Sequence, residues 1–581
     1  MSSITKYLKE NFLFKNLFIP IALLGFYCGS FAFFSSRFLP VGVNYVFTNR
    51  LWQYILLLLA VVSFIIIGLT ILKRNVGLAI HNSNQKISGS DLLLILLPLI
   101  PVVQYIINNR DILSPLDSLI VLGLFVLFFS LYVYAIPAFL GRFSSTWTLM
   151  SLGLAFVLTI SSMAILSRNF SWLEAGSMKI QLLYFGFIFI ASWLFLSRKG
   201  KNIFYLLIVV IFVANSGMQL LSKGNEVDKS SLPIAESKLQ SFIEDRKLAV
   251  TPNIYLLLYD AYVPNETMLA YGIDNKSQED YLIGQGFTLY PHTYSVGSDT
   301  LESMSKVLNM TSEDSKDSGD RRKAVSGDGI VQNSLKSLGY KTYGVFSNDF
   351  MFRGVGSSYD YTIPQYDTPP YVHLISAILM GEFRFDIGFK KNKTYDEFVE
   401  TKQGILEAMS TNPVFLFTLT KFPGHSQNSG ACLPNETDLY KQRLAKANTE
   451  MQEDIERIME NDPNAIIIIA GDHGPYLTKN CTYIGQAYGI SEINRLDIQD
   501  RYGSFLAIRW PTEEYAKYDD IKVLQDLFPT IFAYLYDDAS FLELNPEPII
   551  QNTKPICKAT IINGIISGGI NDGEPLFLSG K

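Results

Sequence analysis

Two acidic residues and one histidine stand where short apolar runs end, and together they could hold a divalent metal. Asp260 follows the run NIYLLLY, and Asp472, His473 and Gly474 follow AIIIIAG. Carboxylate oxygens and an imidazole nitrogen are donors that zinc and manganese accept, so Asp260, Asp472 and His473 read as metal ligands. A strand-end aspartate also commonly caps the helix or turn that follows it, and that alternative stands beside the metal reading. An Asp-His-Gly directly after a run of isoleucines favours the metal.

The elements that would position these residues are legible from Thr251 onward. The runs Asn253 to Asp260, Lys341 to Phe346, Pro413 to Thr420, Ala465 to Asp472 and Ser504 to Trp510 are short, apolar and rich in β-branched or aromatic residues. Amphipathic stretches such as Leu439 to Met459 separate them. That alternation predicts strands buried on both faces of a mainly parallel sheet, and hence an α/β sandwich. Such sheets carry their chemistry outside the carboxyl ends of the strands, where Asp260 and Asp472 fall.

The first half of the chain is of another kind. A mean hydropathy of +0.19 with 18% charged residues is too apolar for a soluble enzyme of 581 residues. About seven runs approach the roughly 20 residues that span hydrocarbon. They are Asn16 to Ser36, Leu51 to Leu72, Asp91 to Ile107, Leu116 to Leu140, Trp147 to Ser167, Ile180 to Leu196 and Ile203 to Leu221. The third carries Pro98 and Pro101 and reads as a kinked or shallow segment. One set of alternate loops holds ten lysines and arginines and the other set five, which places the N-terminus in the cytoplasm and everything after Leu221 outside it. The expected organisation is a transmembrane domain at 1–221, a polar linker at 222–250 and an extracytoplasmic domain at 251–581. A net charge of −6 with no basic tract argues against nucleic acid as a partner.

With GDHG closing the order of parts, the chain resembles the alkaline phosphatase/sulfatase-like superfamily. Within it, the layout of membrane helices followed by an enzyme is similar to lipoteichoic acid synthases and phosphoglycerol and phosphoethanolamine transferases. The resemblance covers Thr251 to about Asp538. It implies an alkaline phosphatase-like fold, and a nucleophilic threonine in a Gly-Thr/Ser-x-Thr segment that also touches the metal. Gly297, Ser298, Asp299 and Thr300 match that pattern, which makes Thr300 the expected nucleophile and fourth metal ligand. A helix start suits it, because free N–H groups there favour an arriving phosphoryl group. Ser298 and Ser295 are the competing hydroxyls, and Ser298 or Thr300 as a plain N-cap with Glu302 in the first turn is the bland alternative. The cysteines and the proline that phosphoethanolamine transferases keep at this segment are missing here, and no C/S-x-P-x-R sequence marks a formylglycine sulfatase.

The resemblance further implies that His425 binds the phosphate or protonates the leaving group, and that Arg353 binds substrate phosphate. DLFPTIFAYL, from Asp526, is similar to a helix start of the superfamily, with Asp526 as its cap. Cys432 and Cys481 flank the GDHG motif in the exported part, so either a bridge that leaves Cys557 odd or three free thiols is open. The expected activity is transfer of a phospholipid-derived head group, phosphoethanolamine or phosphoglycerol, through phospho-Thr300 to a surface glycan or lipid such as lipopolysaccharide. The cofactor would be Zn or Mn, and the location a bacterial-type inner or plasma membrane. A hydrolase using the same site, and a non-catalytic membrane protein with a degenerate enzyme fold, are the alternatives.

Overall fold

The computed structural model describes residues 17–38, 87–108, 113–169, 178–196, 201–224, 234–244, 246–314, 318–348, 350–352, 355–364, 371, 375, 394–409, 413–426, 432–481, 488–550 and 559–578. The chain divides into two compact units, one of residues 1–228 with 367–387, the other of 229–366 with 388–581.

The first unit is helical. Its α1 is Ile19–Phe38, α2 Leu96–Asn108, α3 Pro115–Ser130, α4 Thr146–Asn169, α5 Met178–Leu196 and α6 Lys201–Gly224. These helices coincide with six of the expected spans, while Leu51 to Leu72 lies outside the described residues. Two helical stretches among the described residues, Gly89–Ile107 and Pro115–Leu140, are long and apolar enough to cross a membrane. The stretch holding Pro98 and Pro101 starts as a 3-10 turn at Gly89–Ile95 and continues as α2 through both prolines. Its first turn is fixed by Asp91, which is fully buried. Asp91 Oδ2 accepts from the Ser88 backbone N–H at 2.7 Å and from its hydroxyl at 2.8 Å, and Oδ1 accepts from the Tyr205 hydroxyl on α6. A carboxylate satisfied in this way caps one helix and ties it to another.

The second unit is built on a seven-stranded sheet ordered β2-β7-β6-β1-β5-β3-β4. Its strands are β1 Ile254–Tyr259, β2 Thr288–Leu289, β3 Lys341–Phe346, β4 Tyr361–Ile363, β5 Val414–Thr420, β6 Ile466–Ala470 and β7 Leu506–Arg509. β6, β1, β5, β3 and β4 run parallel, and β7 runs against both of its neighbours. The sheet is therefore mixed. Every residue of β1 and β6 is buried, as continuous apolar strands between two helical layers must be.

On one face lies α9, Glu436–Asn461, whose Tyr440, Leu444, Met451, Ile455 and Ile458 form an apolar stripe that joins Tyr255, Leu257 and Tyr259 in one core. On the other lies α11, Leu527–Tyr536, where Phe528 meets Phe415 edge to face at 5.9 Å. Asp526 does not cap α11 with its side chain. Its carboxylate instead accepts from the Lys522 and Val523 N–H groups at 2.9 and 3.0 Å and so closes the preceding turn. A small antiparallel sheet of β8 Ile549–Ile550, β9 Thr560–Ile562 and β10 Ile565–Ser567 ends the unit. Its core includes Tyr294 and Val296, which lead into the Gly297–Thr300 segment.

Candidate metal and nucleophile site

β1 and β6 are adjacent and parallel, with Leu258 opposite Ala470, so two residues further on both strands deliver a carboxylate at the same level. Asp260 and Asp472 are those carboxylates, and His473 follows. One ligand atom from each of Asp260, Asp472 and His473 lies within 4.8 Å of the others. His473 Nε2 stands 3.6 Å from Asp260 Oδ1 and 3.3 Å from Asp472 Oδ2. Thr300 Oγ1 is 3.3 Å from the same nitrogen.

These groups are donors of the kind a divalent cation accepts. Asp260 Oδ1 and Asp472 Oδ2 are buried and have no hydrogen-bond partner, an unfavourable state for a carboxylate oxygen. His473 Nδ1 donates to the Gly474 carbonyl at 2.8 Å, which leaves the Nε2 lone pair facing the oxygens. Burial first, and then the neighbouring Asp472 carboxylate, push the Asp260 carboxyl well above the usual carboxylate range. Four donors placed about 2.0–2.1 Å from a tetrahedral zinc stand about 3.3–3.4 Å apart. The separations of 3.3 to 3.6 Å around Nε2 fit that edge length. The residues present therefore suit a divalent ion.

Local sequence explains the placement. Gly471 and Gly474 bracket Asp472 and His473 because the chain passes too close to its neighbours for a side chain: a Cβ at Gly471 would lie 1.9 Å from the Tyr262 carbonyl oxygen, and one at Gly474 1.9 Å from that of Asp500. Asp472 Oδ1 is held by the N–H groups of Ala261 and His473 at 2.9 and 3.0 Å, so its other oxygen is left to the cluster. Ala261 adopts φ 59°, a left-handed conformation that a non-glycine residue takes at a cost.

Thr300 opens α7, Thr300–Leu308. The cap is Asp299, whose Oδ1 accepts from the Glu302 N–H at 3.0 Å, so neither Ser298 nor Thr300 performs the capping that the sequence allowed them. Ser298 Oγ instead donates to Glu302 Oε2 at 2.9 Å, and Ser295 Oγ pairs with Ser303 Oγ at 2.6 Å. Of the three hydroxyls weighed, Thr300 is the one in contact with His473. Gly297 lets the segment press against α7, since a Cβ there would sit 2.4 Å from the Ser303 nitrogen.

His425 is half-buried on the loop after β5, its ring centre 6.1 Å from that of His473. The loop is drawn over the cluster by Gly424 N–H, which donates to the Asp260 carbonyl at 2.8 Å, and by Ser426 N–H, which donates to that of Pro475 at 2.9 Å. A disulfide joins Cys432 to Cys481 and so ties this loop to the one that follows GDHG. Closing the 49-residue separation removes roughly 4 kcal/mol of unfolded-chain freedom. Cys557 and Arg353 lie outside the described residues. Tyr476, for which the sequence reading has no role, stacks on His473, its ring centre 5.1 Å away and the planes 1° apart. No periodicity or motif marks it in advance.

No protein-family model and none of the curated proteins matches this sequence. Among solved structures, the chain is similar to the integral membrane lipooligosaccharide phosphoethanolamine transferase A (EptA) of Neisseria meningitidis, at 13% identity and a TM-score of 0.34, over 89% of this chain and 95% of that one. It is similar to the lipoteichoic acid synthase LtaP of Listeria monocytogenes at 13% identity and a TM-score of 0.35, over 58% of this chain and 89% of that one. The periplasmic domain of EcEptC from Escherichia coli, in complex with Zn, is 14% identical with a TM-score of 0.32, over 50% of this chain and 85% of that one. Likeness this distant leaves the functional reading to rest on the site itself. Among the solved structures this chain resembles are thus membrane and periplasmic phosphoethanolamine transferases and a lipoteichoic acid synthase.

Proposed function

We propose that this chain is a membrane-anchored, divalent-metal-dependent phosphotransferase that moves a phospholipid-derived head group, phosphoethanolamine or phosphoglycerol, onto a surface glycan or lipid. The observation that carries the reading is the meeting of Thr300 Oγ1 with His473 Nε2 beside two orphaned carboxylate oxygens, at the ends of adjacent strands. A Zn or Mn ion held by Asp260, Asp472, His473 and Thr300 would supply positive charge for phosphoryl oxygens and favour the threonine alkoxide.

Thr300 Oγ1, its proton given up to solvent water, then attacks phosphorus. The bond from phosphorus to the diacylglycerol oxygen breaks, and that oxygen takes a proton from His425. An acceptor hydroxyl or phosphate next attacks phospho-Thr300, giving its proton to His425, and the threonine oxygen leaves as the alkoxide that first attacked. The positive end of α7 would favour the same phosphoryl group. Arg353 is proposed to bind substrate phosphate.

Placement of the second unit outside the cytoplasm is supported by the ten-to-five excess of basic residues in alternate loops and by the Cys432–Cys481 bridge. Intact mass spectrometry of the full chain, purified from its native membrane, tests the reading. A phosphorus-bearing adduct is expected on Thr300 and absent from Thr300→Ala. Diacylglycerol release that rises with added glycan supports transfer, and release at one rate with or without acceptor replaces it by hydrolysis.

A further inference from the structure

Tyr476 touches both halves of the proposed centre. Its ring lies parallel to the His473 imidazole, and its hydroxyl donates to the Ser298 carbonyl, two residues before Thr300. The side chain is 1% exposed.

The surroundings hold Tyr476 in place from three directions. Its backbone takes φ 57°, outside the region a bulky residue prefers. The next two residues are pinned by one carboxylate: Asp500 accepts from the Leu477 N–H at 2.9 Å, and from the Thr478 N–H and hydroxyl at 3.0 and 2.8 Å. Against the ring lies Arg501, its guanidinium carbon 4.3 Å from the ring centre. Arg501 is 3% exposed and its Nη1 is buried without a hydrogen-bond partner, so the aromatic face is a principal interaction of that end of the guanidinium. Strained backbone and a buried, incompletely paired cation are costs that core filling alone would not select.

We infer that Tyr476 is a positioning residue that fixes the distance between the Thr300 hydroxyl and the His473 imidazole. The ring sets the orientation of the imidazole, while the hydroxyl tethers the segment that carries Thr300. The inference rests on the proposed function for its kinetic consequence, though not for the tether itself. A misplacement of about 1 Å between reacting groups can cost on the order of 100-fold in rate.

Two variants separate the parts in the full-length protein in detergent. Tyr476→Phe keeps the ring and deletes the tether; Tyr476→Leu removes both. For Tyr476→Phe, zinc titrated into the metal-stripped protein should bind within about twofold of the parent, while kcat for head-group release falls about 10- to 100-fold at nearly constant KM. Tyr476→Leu should in addition weaken zinc binding about 10- to 100-fold. Hydrogen exchange of the peptide covering residues 295–303, in metal-stripped protein, should quicken about tenfold in Tyr476→Phe. An unchanged kcat in Tyr476→Phe, at matched folded concentration, overturns the positioning role, and unchanged zinc affinity in Tyr476→Leu overturns the part played by the ring. Unchanged exchange overturns the tether whether or not the protein transfers anything. A parent protein that binds zinc yet releases no head group instead refutes the proposed function and leaves the exchange and zinc results to decide the role of Tyr476.

Discussion

Gly474 is a residue whose replacement has a foreseeable cost. An added methyl would meet the Asp500 carbonyl oxygen at 1.9 Å, and that carbonyl belongs to backbone that cannot swing aside as a side chain would. Gly474→Ala should therefore destabilise the second unit by about 1–3 kcal/mol and reduce bound zinc as the histidine beside it shifts. Thermal unfolding and metal content by plasma emission check both effects. Thr300 allows a sharper contrast. Thr300→Ala should abolish any covalent adduct while Asp260, Asp472 and His473 still bind metal, and Thr300→Ser should keep part of the turnover, having lost the methyl that restricts χ1. Substantial head-group release by the alanine variant would remove Thr300 from the mechanism. Asp260, Asp472 and His473 were legible in the sequence because apolar strands end abruptly in polar residues. The cap at Asp299 was not, because Ser298, Asp299 and Thr300 are all able caps, and the choice among them depends on which hydroxyl the tertiary fold turns toward His473.

At the scale of elements, α8, Tyr395–Ala408, is bound to α9 by a buried charge cluster. Lys402, 0% exposed, reaches Glu450 Oε1 at 2.5 Å and also Asp454. Lys402→Met would leave two carboxylates buried without their cation, and should cost about 3–5 kcal/mol in denaturant unfolding. Two acids share one lysine, so one of them holds a proton readily: burial pushes Asp454 up to about 6, with Lys402 acting in the opposite sense. The folded state then binds the proton more tightly than the unfolded state, whose value is near 3.8. Stability should thus fall as pH rises from about 4 to about 6 and level off above, by up to roughly 3 kcal/mol from this residue. Asp454→Asn should flatten that part of the profile, and an unaltered slope would place the proton elsewhere. The long apolar runs foretold β1, β3, β5, β6 and β7, yet an apolar run carries no sign of direction, so the reversal of β7 was illegible. β2 and β4, two and three residues long, are too short to show any period.

For the whole molecule, the bias of basic residues between alternate loops makes a topological prediction. A reporter that works only outside the cytoplasm should be active when fused after Ser222, and activity there only from a cytoplasm-dependent reporter would reverse the orientation. Hydropathy gave no sign that residues 367–387 belong with the first unit, because the segment is short and lies inside the sequence of the other. Within the first unit, Tyr371 and Ile375 from this segment pack against its apolar core. The backbone therefore passes between the units at three places: near residues 228, 366 and 387. A protease that cuts near 228 severs one connection without freeing the second unit, because Tyr371 and Ile375 stay packed in the first. By the same logic, a fragment starting at Lys229 carries Tyr371 and Ile375 without the core they belong to. It should aggregate or demand detergent, and exchanging residues 367–387 for a short polar loop should render it monomeric in size-exclusion chromatography.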